Sequence, residues 1–307
     1  HFAEECNTLY SIDQEEIVKI DDRPGAYKVV DGITTIGPYA FLQKDNEWKG
    51  NIYMKSIILP DSVTKIGNYA FHNCKGLESI TLPESVTEIG YGAFSGCRRL
   101  RSITLPDSVT EIGDYAFQHC NGLETITLSN SVTTIPKGAF EFCGNMKSFF
   151  IPKSVTRIEE GAFHFCFDLQ TITISDSVTS IGQKAFFRCI GLTTITIPDS
   201  VTEIDEGAFL NCVYLVSIKL SNSITAIRDD TFKGCSSLTT VTIPDSVTTI
   251  GDMAFAGCSS LTTITIPESV TSIALFAFDD CPKLDNAIKA KIDKIIASTQ
   301  ARKTWMF

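Results

Sequence analysis

The sequence has 307 residues, of which 43% are hydrophobic, with a net charge of −10 and a pI near 4.9. An acidic balance of this size argues against nucleic acid or an anionic membrane surface as the partner. No apolar run approaches the roughly 18 residues of a membrane-spanning helix, so the sequence predicts no membrane insertion.

A fixed spacing of cysteines runs through most of the chain. Ten of the eleven cysteines follow one another at intervals of 23 residues, from Cys74 to Cys281, and Cys6 lies outside this register. A period of about 20 to 50 residues is typical of a solenoid built from stacked repeats, here called coils. In stacked strands, cysteines of one phase are expected about 4.8 Å apart with parallel Cβ vectors, which is poor geometry for a disulfide. We therefore expect a column of buried thiols, with some bridging as the alternative.

The start of the chain differs from the repeat. Residues 1–32 are predicted to cap the first coil, because an open solenoid end exposes apolar side chains. The repeat begins at Ile33. Seven additional residues around Gln43–Asn51 predict a polar surface loop that carries Trp48. Asn51 stands where later coils have cysteine.

Each coil combines strand and turn patterns, as residues 77–97 illustrate. Ile80 and Leu82 alternate with polar residues, which is the pattern of a strand with one buried face. A Pro-Glu-Ser turn follows, and Val86 and Ile89 form the next apolar pair. Apolar residues at offsets of 0, 1, 4 and 7 then predict a short helical turn that faces the core, comprising Ala93, Phe94, Cys97 and Leu100.

The pattern changes again after Leu284. Apolar residues at offsets of 0, 4, 7 and 8 predict an amphipathic helix over Pro282–Ser298 that covers the last coil, and these residues are Ile288, Ile292, Ile295 and Ile296. The predicted fold is therefore an α/β repeat solenoid of about eleven 23-residue coils, capped at both ends. Its parts are an N-terminal cap (1–32), the solenoid (33–284) and a C-terminal capping helix with a tail (285–307).

The repeated residues resemble a known family. The pattern Leu-x-x-Ile-x-Leu-Pro-x-Ser-Val-Thr-x-Ile-Gly-x-x-Ala-Phe-x-x-Cys, seen at 77–97 and 100–120, is similar to the BspA-type leucine-rich repeat. The resemblance covers about Ile33–Leu284. It departs from the general leucine-rich pattern by placing serine, for example Ser85 and Ser108, where that pattern has Asn or Cys.

The resemblance implies a function that is not enzymatic. Members of this family are secreted or cell-surface adhesion proteins, with matrix proteins such as fibronectin or fibrinogen among their partners. The expectation for this chain is an extracellular or surface-located monomer that binds a protein on a rigid concave sheet. The alternatives are a structural spacer or surface antigen without a specific ligand, and an ice-binding threonine array.

The sequence offers little to support catalysis or metal binding. It contains no G-x-S-x-G, H-E-x-x-H, phosphate-loop or C-x-x-C motif, so we predict no catalytic residue, cofactor or metal site. One acidic residue per coil follows the strand, as at Asp176 and Asp199, whereas a calcium site needs about six to eight oxygen ligands. Thr-x-Thr pairs recur on the outward strand positions, and Phe150 and Lys219 interrupt them.

Aromatic residues concentrate in the middle of the repeat and mark the candidate binding site. Phe150 is predicted to point outward from its strand beside Lys147, and Phe149 to point inward. The other candidates lie near the cysteine column or on neighbouring coils, and they are Phe142, Phe165, Phe167, Phe187, Tyr214 and Lys219, with Trp48 in the early loop. These residues predict either an exposed docking patch or a local widening of the core.

Overall fold

The computed structural model describes residues 3–5, 8–10, 16–20, 25–42 and 50–304. The chain forms two compact units, 1–154 and 155–307. Each regular coil of either unit contains a long strand, a turn, a two-residue strand and a second turn segment.

Within the described residues of the first unit there are fourteen strands, which alternate between the long and the two-residue type from β4 onward. Their bounds are β1 Ala3–Glu5, β2 Thr8–Tyr10, β3 Glu16–Ile20, β4 Gly25–Lys28, β5 Thr35–Ile36, β6 Met54–Ile58, β7 Lys65–Ile66, β8 Ser79–Thr81, β9 Glu88–Ile89, β10 Ser102–Thr104, β11 Glu111–Ile112, β12 Thr125–Thr127, β13 Thr134–Ile135 and β14 Ser148–Phe150.

The second unit continues the alternation and ends in the one α-helix among the described residues. Its elements are β15 Arg157–Ile158, β16 Thr171–Thr173, β17 Ser180–Ile181, β18 Thr194–Thr196, β19 Glu203–Ile204, β20 Ser217–Lys219, β21 Ala226–Ile227, β22 Thr240–Thr242, β23 Thr249–Ile250, β24 Thr263–Thr265, β25 Ser272–Ile273 and α1 Asn286–Thr304.

Equivalent residues of successive coils lie side by side in parallel register. Ile89 pairs with both Ile66 and Ile112, each 23 positions away. This is the parallel-strand solenoid that the sequence predicts, with about nine turns rather than eleven. The first coil breaks the spacing, because Ile36 pairs with Ile66 and these residues are 30 positions apart rather than 23.

Phenylalanine rings form the centre of the core in both units. Phe71, Phe94 and Phe117 are fully buried and stack face to face, with ring centroids 5.0 and 5.3 Å apart. In the second unit, Phe186 stacks on Phe209 at 5.2 Å. Because each ring contacts the rings above and below it, the apolar residues of one coil are buried only when its neighbours are present.

The predicted helical turn at Ala-Phe-x-x-Cys is correct only in part: alternate N–H groups bond three residues back within the segment, as Cys97 does to the Phe94 carbonyl at 3.1 Å, and the others donate to the next coil. The backbone N–H of Phe94 donates to the Ala116 carbonyl at 2.8 Å, and that of Gly96 donates to Gln118 at 2.7 Å. Left-handed φ angles at Gly92 (57°) and Gly96 (78°) turn these N–H groups toward the next coil. The segment thus adds a third line of hydrogen bonds between coils.

The serine that replaces Asn in the general repeat pattern has a defined role. The Ser108 hydroxyl donates to the Val86 carbonyl of the preceding coil at 2.7 Å, and Ser85 bonds to Val63 in the same way at 2.6 Å. A half-buried hydroxyl therefore satisfies a carbonyl where the chain turns.

Replacing Ser108 with alanine should lower the free energy of unfolding by about 1 kcal/mol, because the Val86 carbonyl loses this hydrogen-bond donor. Urea denaturation measures the change. The matched control is Thr104→Ala on the exposed strand face, which should change stability by less than about 0.5 kcal/mol. Equal losses in the two variants would contradict this role of the hydroxyl.

At the N-terminal end, additional strands pair with the first long strand and with the first two-residue strand of the repeat. β3 pairs in parallel with β5, and β1 and β2 add antiparallel strands beyond it. β4 pairs in parallel with β6. This arrangement is consistent with a cap, and the boundary at residue 32 stays a prediction. Cys6 lies outside the described residues.

At the C-terminal end, helix α1 packs on β25. It begins four residues later than predicted and continues to Thr304, which includes part of the predicted tail. Ile292 is buried, and the Thr299 hydroxyl accepts a hydrogen bond from the Ile273 backbone N–H at 3.3 Å. The Lys291 ammonium donates to the Ile266 carbonyl at 2.7 Å. The helix therefore covers the two-residue strand of the last coil.

Candidate binding surface

The outward face of the long strands presents a regular polar surface in the second unit. Thr194 and Thr196 are exposed on either side of the buried Ile195, and the other Thr-x-Thr strands repeat this pattern. Thr196 lies directly beside Lys219, which is also exposed. Hydroxyl groups can both donate and accept, so this face can form hydrogen bonds with a polar ligand.

A groove of about 770 Å³ follows this face. Its polar lining comprises Thr171, Thr173, Thr194, Thr196, Asp176, Asp199, Ser200 and Lys219. The Asp199 carboxylate accepts hydrogen bonds from the Asn222 backbone at 2.9 Å and from the Asn222 side chain at 3.2 Å, which lowers the pKa of Asp199. The carboxylate is thus held by the protein, and Lys219 supplies the positive charge of the groove.

Phe150 is the most exposed large apolar side chain among the described residues. It lies at the end of β14 in the first unit with 64% of its surface exposed, whereas Phe149 is 5% exposed. Both predicted orientations are therefore confirmed. Lys147, one residue before this strand, is exposed as well. A large aromatic ring on a rigid strand can anchor a protein partner.

Three of the aromatic residues near the cysteine column form a cluster in the second unit. In the second unit, Phe165 lies 5.6 Å from Phe167 and 5.3 Å from Phe187, measured between ring centroids. The Arg188 guanidinium lies 5.5 Å from the rings of both Phe165 and Phe187, which is a cation–π distance. Phe165 and Phe187 are half-buried, whereas Phe167 is 37% exposed. These side chains mainly pack against one another and leave the edge of Phe167 open.

The remaining candidates differ in their surroundings. Phe142 is half-buried in the first unit and stacks on His119 at 4.5 Å. Tyr214 is 58% exposed and has no ring contact within the part of the chain that the structure describes. Trp48 lies outside the described residues. Asn51 is buried, and its side-chain oxygen accepts hydrogen bonds from the Tyr53 and Met54 N–H groups at 3.0 and 2.8 Å.

The predicted thiol column is confirmed, and its thiols form hydrogen bonds. All ten cysteines from Cys74 to Cys281 are buried and unbridged. The Cys97 thiol donates to the Phe71 carbonyl at 3.2 Å, and the same contact recurs in later coils. Burial raises the pKa of Cys120 to about 12. Such thiols are poor nucleophiles, so their role is structural.

The acidic residues after the strands do not converge on one point. Within the described ranges, no group of three His, Cys, Asp or Glu side chains is arranged to hold a metal ion.

A tyrosine column in the first unit was not recognised in the sequence. The ring of Tyr69 lies 5.3 Å from that of Tyr39 and 5.2 Å from that of Tyr91, and Tyr115 continues the column at 5.5 Å. Burial, together with the hydrogen bond that the Tyr69 hydroxyl donates to Tyr91, raises the pKa of Tyr69. The signal was available, because Tyr-Ala-Phe recurs in three of the first four coils.

These ladders, with their 23-residue register and buried leucine and phenylalanine columns, define a leucine-rich repeat protein. A family model described as the BspA type leucine rich repeat region matches residues 34–170 and 156–286. The chain therefore belongs to the BspA-type leucine-rich repeat family. No match was found among curated proteins.

Solved structures extend this likeness over nearly the whole chain. A leucine-rich repeat protein from Bacteroides ovatus is 28% identical, with a TM-score of 0.58 and coverage of 92% of this chain and 90% of that chain. A leucine rich cell surface protein from Faecalibacterium prausnitzii is 31% identical, with a TM-score of 0.51 and coverage of 92% and 91%. The pneumococcal vaccine antigen PcpA shares the fold at 20% identity, with a TM-score of 0.63 and coverage of 93% and 88%.

Membership of the family gives a general class of function. Leucine-rich repeat proteins are typically binding or structural modules rather than enzymes, and they generally bind other proteins. The family and its structural neighbours indicate a surface or extracellular location. None of the helical residues described here forms a segment long and apolar enough to cross a membrane.

Proposed function

We propose that this chain is a secreted or cell-surface adhesion module that binds a host or matrix protein on the outward face of its long strands. The observation that carries the proposal is Phe150, an aromatic ring 64% exposed on a strand whose backbone is fixed by the repeat. A surface that is already ordered binds without the cost of ordering its backbone.

Each candidate group has a distinct part in this proposal. Phe150 provides an apolar anchor in the first unit, and Lys147 lies beside its strand. In the second unit, Lys219 offers an ammonium group and the threonine hydroxyls offer hydrogen bonds. Phe165 packs against Phe167 and Phe187 packs against Phe165, so these two half-buried rings hold Phe167 in place for the partner.

Extracellular matrix proteins such as fibronectin and fibrinogen are the proposed partners. The surface location is supported by the Faecalibacterium relative, which is described as a cell surface protein. The net charge of −10 disfavours nucleic acid as a ligand.

Replacing Phe150 with serine should reduce binding to immobilised fibronectin or fibrinogen at least tenfold. Loss of an aromatic anchor costs about 2 kcal/mol or more, which corresponds to roughly a 30-fold change in the dissociation constant. Biolayer interferometry with each matrix protein measures the effect. The matched control is Tyr53→Ser, which removes a half-exposed aromatic residue that precedes β6, and it should change binding less than about twofold.

Two outcomes would contradict the proposal. If neither matrix protein is retained by the wild type, the chain is better explained as a spacer or surface antigen. If Phe150→Ser binds as tightly as the wild type, the outward strand face is not the docking surface. Thermal hysteresis of a concentrated solution tests the ice-binding alternative separately.

A further inference from the structure

The last coil of the second unit has an unpaired backbone edge. In interior coils, alternate N–H groups of the Ala-Phe segment donate to the next coil, as Phe232 does to Ala254 at 2.8 Å and Gly234 does to Ala256 at 2.8 Å. The equivalent donors of the last coil are the N–H groups of Phe278 and Asp280. Within the described part of the chain, neither group has an acceptor.

The acceptors of this segment are already in use. The Ala277 carbonyl accepts from Phe255 at 2.7 Å, and the Asp279 carbonyl accepts from Gly257 at 2.8 Å. The edge therefore offers backbone N–H donors two residues apart, while the Ala277 and Asp279 carbonyls between them already accept hydrogen bonds. Two copies of this edge are not complementary to each other, because both present N–H groups.

Apolar side chains surround these donors. Phe278 stacks on Phe255 at 5.1 Å with one face of its ring, and it is only half-buried, whereas Phe255 is fully buried. Leu275 and Phe276 are 52% and 44% exposed. In the four preceding coils, the two positions they occupy carry Gln183-Lys184, Glu206-Gly207, Asp229-Asp230 and Asp252-Met253. The exposed apolar pair is thus specific to the last coil.

Helix α1 does not supply the missing partner. It packs on β25 through Thr299 and Ile292, on the strand side of the coil. Phe276 and Phe278 remain accessible. Two acidic side chains, Asp279 and Asp280, are exposed at the same edge and favour a basic partner.

We propose that this edge binds one further coil-like segment supplied by another polypeptide. The segment would present carbonyl groups two residues apart, an Ala-Phe pair whose ring stacks on Phe278, and basic residues facing Asp279 and Asp280. This interface continues the contact between coils that the rest of the unit already makes, so its geometry is preformed. In this mode of binding, an unpaired backbone edge forms hydrogen bonds with a segment of another chain. The proposal is independent of the outward strand face.

A synthetic peptide that copies residues 88–110 is a suitable probe, because it contains Ala93-Phe94 and the basic pair Arg98-Arg99. Under reducing conditions it should bind the full chain in a fluorescence anisotropy titration. A Leu275→Ser/Phe276→Ser variant should bind it at least tenfold more weakly. Phe150→Ser, which removes an exposed ring elsewhere, should bind it unchanged.

Hydrogen exchange adds a readout specific to the backbone edge. Peptide binding should slow exchange of the Phe278 and Asp280 amides at least tenfold. The proposal is overturned if the peptide does not bind at 1 mM, if a shuffled peptide binds equally well, or if these two amides are not protected. Self-association of the chain that is abolished by the Leu275→Ser/Phe276→Ser change would instead identify a second copy as the occupant and overturn the proposed partner.

Discussion

Replacing Phe186 with alanine is expected to lower the free energy of unfolding by about 3–5 kcal/mol, the usual cost of an aromatic cavity in a core. The ring is fully buried and stacks on Phe163 at 5.4 Å and on Phe209 at 5.2 Å, so its removal leaves a cavity and loses contacts with both neighbouring coils. Urea denaturation followed by circular dichroism measures the loss.

The matched control is the same substitution on the protein surface. Phe150→Ala removes a ring that is 64% exposed and should change stability by less than about 0.5 kcal/mol. If Phe186→Ala is as stable as Phe150→Ala, the stacked phenylalanine column does not hold the coils together.

The protein should lose stability steeply above about pH 9. Burial raises the pKa of Cys120 and of Cys235 from 9.0 to about 12, so each thiol keeps its proton longer in the folded than in the unfolded state. The stabilising contribution is therefore complete below pH 9 and is lost as the pH rises toward 12. Each of these thiols should cost about 1.4 kcal/mol per pH unit in this window. Urea midpoints at pH 8, 9 and 10 under reducing conditions measure the slope.

A variant without these two thiols separates their titration from that of other groups. Serine does not ionise in this range, so Cys120→Ser/Cys235→Ser should lose stability less steeply than the wild type, by about 2–3 kcal/mol per pH unit. An identical slope in both proteins would show that the buried thiols do not govern alkaline unfolding.

The sequence predicts the core well because each core position recurs in every coil. The spacing of Cys74 to Cys281 gives the register, and alternation along a strand gives the opposite orientations of Phe149 and Phe150. Both the register and these orientations are set by which side chains are buried, and buried positions are recognisable because the same apolar residue types recur at a fixed spacing. The longer first coil was visible in the sequence as seven additional residues, whereas the number of turns, about nine rather than eleven, was not.

The conformation of the second turn segment could not be predicted from the same evidence. Offsets of 0, 1, 4 and 7 fit a helical face, but they also fit a segment whose alternate N–H groups bond to the next coil. Left-handed φ angles decide between these, and non-glycine residues such as His119 (57°) and Asn211 (58°) adopt them. Residue type alone does not reveal such angles where coil-to-coil hydrogen bonds stabilise them.

The candidate site was predictable only in part, because the exposure of a side chain also depends on the residues of neighbouring coils. Breaks in the repeat identified the unusual side chains, but their contacts depend on neighbouring coils. Phe165 and Phe187 pack together beneath Arg188, whereas Phe150 stays exposed on its strand. The role of Phe150 and Lys219 in binding remains a proposal. The structure supports it by placing both side chains on the exposed face of their strands.

The regular positions of the repeat build the core, and we propose that irregular, exposed positions bind the partner. The most direct test measures both the dissociation constant for fibronectin or fibrinogen and the melting temperature of the same variants. Phe150→Ser and Lys219→Glu should weaken binding at least tenfold with the melting temperature unchanged. Phe186→Ala should lower the melting temperature by several degrees and, well below that temperature, bind as the wild type does. Normal binding by Phe150→Ser and Lys219→Glu, with loss of binding in folded Phe186→Ala, would contradict the account.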